Sequence, residues 1–424
     1  MTKPNPDPKG FLTELFQVAV SEADPMKVIP RHLPPKPEGR LMVIGAGKAS
    51  ARMAEAVEGV YGPCEGLVIT RYGYARPCQG IEIVEAAHPV PDQAGVDATR
   101  RMLDLVRGLG PDDTVLALIS GGGSALLCAP IEGMTLADKQ AVNAALLASG
   151  APIGEMNIVR PQLSQVKGGR LAAACHPAKV ISLIISDVPG DDPAEIASGP
   201  TCAGNSTPEA ALAVLDRWNI QLDPKVRDLI AKPKIAQDAN SGSEAADVLQ
   251  IVAAPSQSLD ATAALARKQG YEVRILGDAL EGEARDLARH HAQMAIELQA
   301  GMAPSDTPVL LLSGGECTVT RTGNGVGGPN AEYTLSAAIT LAGHAGIHVL
   351  SCDTDGVDGA AEVAGAYAGP QTLVGEGRLE SAKAALANND AHTFFGNIDS
   401  QIVTGPTLTN VNDFRALLIF PAGN

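Results

Sequence analysis

Apolar and polar positions along the chain alternate between two patterns. Short apolar runs recur at 41–46, 66–70, 80–86, 115–119 and 179–187, each ended by or followed within three residues by Gly, Pro or Asp. Runs of that length and enclosure read as buried strands. Between them lie segments with apolar residues three and four apart, the spacing of a helix face. The first, Phe11 to Ala23, places Phe11, Leu12, Leu15, Phe16, Val18 and Ala19 on such a face; others run through Val60, from Gln93 to Gly108 and from Thr135 to Ser149. Pro30 to Pro37 reads as a turn-rich linker, and Glu209 to Ile235 as helical. A second series starts at Asp247: a strand to Ala254, a helix Ser258–Gln269, a strand Tyr271–Leu276, a long helix Gly282–Ala300 and a strand Val309–Leu312. Strands alternating with helices predict parallel sheets flanked by helices, an α/β fold. At 424 residues the chain is long for one core, and Ala236 to Ala245 (AQDANSGSEA) has the composition of a linker. Two α/β domains are therefore expected, residues 1–240 and 241–424, each with a mostly parallel sheet.

The polar chemistry gathers where strands end. VLALISGGGSALL, 115–127, runs a buried strand into Gly121, Gly122, Gly123 and Ser124. Consecutive glycines let backbone N–H groups converge on one point, a cradle for an anion, and Ser124 can cap a helix or bond a phosphate oxygen. LMVIGAGKAS, 41–50, repeats the arrangement with Lys48, and VLLLSGGE, 309–316, repeats it with Gly314, Gly315 and Glu316. None is a Walker A loop, and IGAGKAS lacks the third glycine of a dinucleotide fingerprint.

Between these turns lie further candidates. His88 in AHPVPD is a possible base, substrate ligand or loop pin. EMNIVRPQLSQVKGGRL, 155–171, carries Asn157, Arg160, Lys167 and Arg170; the spacing predicts a helix from about Pro161 with Arg160, Ser164 and Lys167 on one face, ended by Gly168 and Gly169. In the helix 135–149, Asp138 and Lys139 are assigned to the polar side. KVISLIISD ends a strand at Asp187, and the next loop holds Asp191 and Asp192. Carboxylates at a strand end suit Mg²⁺, which takes one or two and completes its shell with water and phosphate, although an Asx-turn serves Asp191 or Asp192 equally well. The second half adds Asn330 and Glu332 at a helix start, and Asp353, Asp355 and Asp358 in DTDGVDG, an acidic turn that does not complete a calcium loop.

Composition narrows the picture. The net charge is −16, so nucleic acid and anionic membranes are poor partners, and cations near a cleft gain weight as an anion site. Seven cysteines without CxxC spacing point to reduced thiols, Cys317 being weighed as reactive and read as a core residue. No apolar run reaches the length of a membrane span, and MTKPNPDPKG has no signal-peptide core, so a cytoplasmic protein is expected.

Taken together, IGAGKAS, HPVPD, ISGGGSALL, KGGRLA, SDVPGDD with SGPT, SGGE, DTDGVDG and TGPTLTNVND resemble, in order and over essentially the whole chain, the glycerate 2-kinases with a MOFRL second domain. That family is often mislabelled as hydroxypyruvate reductase. The resemblance implies a glycerate-kinase-type first domain and a MOFRL-like second, with the last residues packing back on the first and the active site in the cleft between them. It implies ATP with Mg²⁺, and transfer of the γ-phosphoryl to the 2-hydroxyl of D-glycerate or a related hydroxy acid by a monomer or homodimer. On these motifs Lys48 is matched to phosphoryl transfer and Gly121 to Ser124 to phosphate contact. Gly314, Gly315, Glu316 and Asn330 complete the nucleotide site, Asn157, Arg160, Lys167 and Asp355 the substrate site, and Asp187 and Asp192 the metal site, Asp187 also being catalytic. Three positions depart from the family: Pro161 and Gln162 replace a lysine and a histidine, and Pro329 replaces an arginine. Arg160 or Arg321 could compensate, or the acid could differ from glycerate. Two other readings stand beside the kinase, an NAD(P)-dependent hydroxypyruvate reductase and a non-catalytic ligand-binding homologue.

Overall fold

The computed structural model describes residues 7–232, 246–359 and 361–422. The linker 236–245 and the boundary after residue 240 lie outside the described residues. The chain divides into two compact units, one of Pro25–Ser186 with Asp191–Val252, the other of Met1–Asp24, Asp187–Gly190 and Ala253–Asn424.

The first unit is built on β1 (Leu41–Ala46), β2 (Glu65–Arg71), β3 (Ile81–Ala86), β4 (Thr114–Ile119), β5 (Lys179–Ile185) and β6 (Val248–Ala253), in the order β3-β2-β1-β4-β5-β6. The pairs β1–β2, β2–β3, β1–β4 and β4–β5 are parallel. Every residue of β4 is buried, as a central strand covered on both faces requires. The chain lays down β1 to β3 on one side and β4 onward on the other, so the order reverses between β1 and β4. At such a point the connections leave in opposite directions and open a crevice at the carboxyl ends of the strands. The two glycine turns that follow β1 and β4 therefore meet there.

The second unit holds β7 (Glu272–Gly277), β8 (Gly282–Glu283), β9 (Val309–Gly315), β10 (Cys317–Thr318), β11 (Ile347–Asp353), β12 (Gly365–Ala368), β13 (Gln401–Ile402) and β14 (Asp413–Ile419). Its main sheet runs β13-β12-β11-β14-β9-β7, while β8 and β10 form a separate two-stranded piece. Here the expectation of a mostly parallel sheet is corrected. Only β7–β9 pairs parallel among the six strands; β9–β14, β14–β11, β11–β12 and β12–β13 are antiparallel. The last strand, β14, inserts between β9 and β11, a long-range pairing that local strand–helix alternation does not encode.

The first helix, Pro8–Glu22, belongs to this second unit. Its Phe11, Leu12, Leu15 and Phe16 are fully buried with Leu259, Tyr271, Leu310 and Phe414, and the Phe11 ring stacks on Tyr271 at 4.4 Å. Apolar spacing shows that a helix buries a face but not which sheet receives it. Pro30, read as linker, sits inside a helix, Pro25–His32.

Candidate functional site

At the switch point of the first sheet, the turns after β1 and β4 are stitched together. Lys48 N–H donates to Gly121 O at 2.8 Å, and Ala49 N–H donates to Ser120 Oγ at 3.1 Å. Gly122 is left-handed, with φ of 79°, and a Cβ there would stand 3.1 Å from Lys48 Cγ and 3.2 Å from His88 Cδ2. The close approach of a lysine and a histidine to bare backbone is what this glycine permits. Gly123 is as constrained: its Cβ would come within 2.7 Å of Ala197 Cβ. Among the described residues neither Gly121 nor Gly122 donates its backbone N–H, so two amides beside the Lys48 side chain are open to a ligand.

Ser124 lies in one helical turn, Gly123–Leu126, whose N-cap Gly122 has no side-chain cap. Its hydroxyl is instead 2.7 Å from Ser198 Oγ. Ser198 and its neighbour Ala197 hold left-handed backbone, φ 62° and 53°, which costs about 1 kcal/mol or more for a residue with a Cβ and is concentrated at functional sites. Lys167 Nζ donates to Ser124 O at 2.5 Å and reaches Ser198 Oγ at 3.4 Å. The glycine turn thus carries Lys48 and His88 on one flank and Lys167 on the other.

The segment before Lys167 departs from its expected form. A helix Ile153–Val159 gives way to a 3-10 turn Arg160–Leu163, and Ser164 is extended. Pro161 cannot continue an α-helical ladder, so Arg160, Ser164 and Lys167 do not share one helix face. Arg160 Nη1 donates to Asn157 Oδ1 at 3.1 Å. Gln162 is buried and donates to Ser206 O and Oγ, while Arg170 holds the turn through the carbonyls of Pro161, Ser164 and Lys167. For Gln162 and Arg170 these are structural tasks.

Lys139 is a second correction. It is not on a polar face but buried, with Nζ lacking a hydrogen-bond partner among the described residues. Its spacing to the buried Val142 and Leu146, three and seven residues on, was the signal. Burial pushes the Lys139 ammonium below its ordinary range, the Cys128 thiol beside it pulling the other way. Burial, then repulsion from Lys139 and Arg160, holds Lys167 well below its own, and burial lowers Arg160. Among the described residues no carboxylate pairs with any of the three.

After β5, Asp187 Oδ2 accepts from Asn410 Nδ2 at 3.1 Å. Asp192 Oδ1 accepts from Ala194 N–H at 2.9 Å, an Asx-turn, whereas Asp191 Oδ1 is buried without a hydrogen-bond partner among the described residues. No group of three or more metal-ligating side chains occurs among the described residues.

The remaining candidates belong to the second unit. The Gly314 and Gly315 carbonyls accept from Arg415, fully buried and paired with Asp413 at 2.5 Å. Tyr333 lies under its guanidinium, 5.6 Å from ring centroid to carbon. Sequence reading passed over Arg415 because it sits within an apolar strand. Glu316 is exposed and Cys317 buried, its thiol pushed up to about 11 by burial, which suits a core residue. Asn330 is committed: Nδ2 donates to Asp413 Oδ1 at 2.6 Å and Oδ1 accepts from Ser351 Oγ at 2.6 Å. Asp355 is buried, Oδ1 accepting from Val357 N–H at 2.8 Å. Pro329 is the first residue of the helix Pro329–Leu341, where a missing N–H costs nothing, so the backbone accommodates this departure. Arg321 is exposed and bonded to its own loop, Nη2 to Gly325 O at 2.9 Å.

Comparison with known proteins places the chain. A family described as a domain of unknown function, DUF4147, matches residues 11–231, and the MOFRL family matches 309–413. A Thermotoga maritima protein named D-glycerate 2-kinase is 38% identical over 97% of this chain and 98% of its own length. The crystal structure of a glycerate kinase from that organism superposes with a TM-score of 0.84 over 97% of this chain and 99% of that one. An Agrobacterium vitis protein with a provisional hydroxypyruvate reductase name is 48% identical over 97% of this chain and 94% of its own length. No helix among the described residues is long and apolar enough to cross a membrane. Matching both domains and relatives along nearly its whole length, the chain belongs to the glycerate kinase family that joins a DUF4147 domain to a MOFRL domain.

Proposed function

We propose that the protein is an ATP-dependent kinase that moves the γ-phosphoryl onto the 2-hydroxyl of D-glycerate or a closely related hydroxy acid. The observation that carries the reading is the meeting of Lys48 with Gly122 at the switch point, beside two backbone amides that donate to no partner among the described residues. Phosphoryl transfer asks for positioned positive charge around the moving group more than for covalent chemistry, and this turn supplies donors and a cation in fixed places. Lys48 stabilises charge on the transferring group, Gly121 to Ser124 hold phosphate oxygens, and Arg160, Asn157 and Lys167 bind the acid. Gly314, Gly315 and Glu316 are assigned to nucleotide contacts and Asp355 to the acid. Asn330, with its amide already bonded, acts by holding the backbone around them.

The Asp187–Asp192 loop fits Mg²⁺ in its donor chemistry: hard carboxylate oxygens, one of them buried and unbonded at Asp191. Asp187 is the first ligand proposed and Asp192 the second, its Asx-turn leaving one oxygen for the ion. A bound metal ion would neutralise phosphate charge there.

The reductase reading has less support. A dinucleotide site uses its third glycine for close helix packing and a carboxylate near the end of β2 for the ribose. Here Ser50 takes the glycine's place, bonding Leu118 O at 2.9 Å, and β2 ends in Thr70 and Arg71. The test is Lys48→Met: kcat should fall at least about a hundredfold with ATP binding retained. An unchanged kcat would remove Lys48 from the chemistry.

A further inference from the structure

Among the described residues, three cations of the first unit have no carboxylate partner. Lys139 projects from the helix Leu136–Ser149, Arg160 from a 3-10 turn and Lys167 from the turn before the helix Arg170–Cys175, so three separate elements deliver positive charge to one place. Val142 and Leu146 of the helix Leu136–Ser149 share one core with Met156, Val159 and Leu163, and Pro130 bridges Ser164, so the three segments pack together; repulsion among Lys139, Arg160 and Lys167 agrees with that packing. Around them stand Ser124 O and the Ser198 hydroxyl, which Lys167 contacts, and the Cys128 thiol beside Lys139. Of these groups the Cys128 thiol favours the Lys139 ammonium, and burial outweighs it. A buried lysine ammonium with a thiol beside it and no partner in hydrogen-bond geometry among the described residues is costly, because desolvation is poorly compensated. Replacing the charge with an apolar side chain of similar length is expected to leave the free protein at least as stable, the opposite of what a structural ion would show.

We propose that Lys139 is a substrate-binding residue, forming with Arg160 and Lys167 one oxyanion subsite that takes the carboxylate of the hydroxy acid. The inference rests on the kinase reading for the identity of the acid, and adds to it a ligand from the helix Leu136–Ser149. Arg160, with Nη1 held by Asn157 Oδ1, keeps further guanidinium N–H groups for a carboxylate oxygen, and the lysines add charge from other directions. An anion here restores the ammonium forms that burial and crowding disfavour, so binding of the acid and protonation of the lysines reinforce one another. Shared chemistry leaves a phosphate oxygen of the nucleotide as the rival occupant.

The test uses the full-length protein, with Lys139→Met and Lys139→Arg, and reads three quantities. These are the D-glycerate affinity by calorimetry without nucleotide, the ATP affinity likewise, and the melting temperature with and without D-glycerate. The expected result is that Lys139→Met melts at the wild-type temperature or higher, binds D-glycerate at least about tenfold more weakly and keeps its ATP affinity, while Lys139→Arg recovers most of the loss. Unchanged D-glycerate affinity in Lys139→Met, or a loss confined to ATP, overturns the assignment, as does a wild type that binds no D-glycerate. A Lys139→Met protein that melts lower and binds normally makes the lysine structural and overturns it too. Because binding is read without turnover, the two proposals fail separately. A protein that binds the acid through Lys139 yet consumes no ATP contradicts the kinase reading alone; turnover with an unmoved KM for the acid in Lys139→Met contradicts the subsite alone.

Discussion

Lys139 and His291 illustrate what a single residue can and cannot disclose. Lysine in a helix is ordinarily a solvent-facing side chain, and only its register with Val142 and Leu146 marks it as buried. His291 is legible as part of the helix Ala284–Ala300, but its surroundings are not. The structure buries it against Tyr333, with Nδ1 2.7 Å from the phenol oxygen and Arg415 near enough to repel a second cation. Burial first, then Arg415 and His290, lowers the imidazole from 6.5 to about 4. In the unfolded chain the same ring takes a proton near 6.5, so below that pH the unfolded state binds more protons and stability rises with pH. His291 therefore contributes fully above pH 6.5, and its contribution is lost on acidification between 6.5 and about 4. Denaturant titrations across that window should show a slope of up to about 1.4 kcal/mol per pH unit from this ring. His291→Phe should flatten it; a variant with the wild-type slope would mean that other groups carry the acid response.

Among the elements, the β–α alternation made the first sheet legible, because parallel buried strands are nearly continuous apolar runs. The second sheet was not, since the position of β14 depends on contacts between distant residues. The loop 155–171 was misread for a local reason: the cation spacing favours a helix, and Pro161 overrides it. The helix Pro329–Leu341 shows a further dependence on distant chain. Gly328 offers no side-chain cap, and the first amides are taken by Asp358, which accepts from Asn330 N–H at 3.0 Å and Ala331 N–H at 2.8 Å. A Cβ on Gly328 would stand 2.4 Å from the Asp358 carboxyl carbon, so this glycine is required by the approach of the cap. His392 Nε2 lies 2.9 Å from the same carboxylate, off the line of a hydrogen bond. DTDGVDG reads in sequence as a cation turn; for Asp358 the observed work is helix capping. Asp358→Asn keeps the shape, removes the charge at the helix start and turns an amide toward donors. It should destabilise the protein by about 2 kcal/mol in denaturant titrations, with full stability in the variant contradicting the capping role.

At the scale of the whole molecule, sequence motifs located the glycine turns and polar residues at the strand ends, because such residues visibly break a buried apolar run. They did not identify Arg415 or Lys139, whose roles come from burial. The departures at Pro161, Gln162 and Pro329 are accommodated by the backbone: two lie in a tight turn and one opens a helix. On the proposed reading the acid-binding charge falls to other residues of the first unit, Lys139, Arg160 and Lys167. The central claim is catalytic, and ³¹P NMR of the protein with ATP, Mg²⁺ and D-glycerate tests it most directly, with a panel of C3 to C6 hydroxy acids alongside. The account predicts a phosphomonoester on the 2-hydroxyl of D-glycerate or of a near relative, formed with stoichiometric ADP. ATP left intact with every acid, by protein that binds both nucleotide and acid, would contradict it.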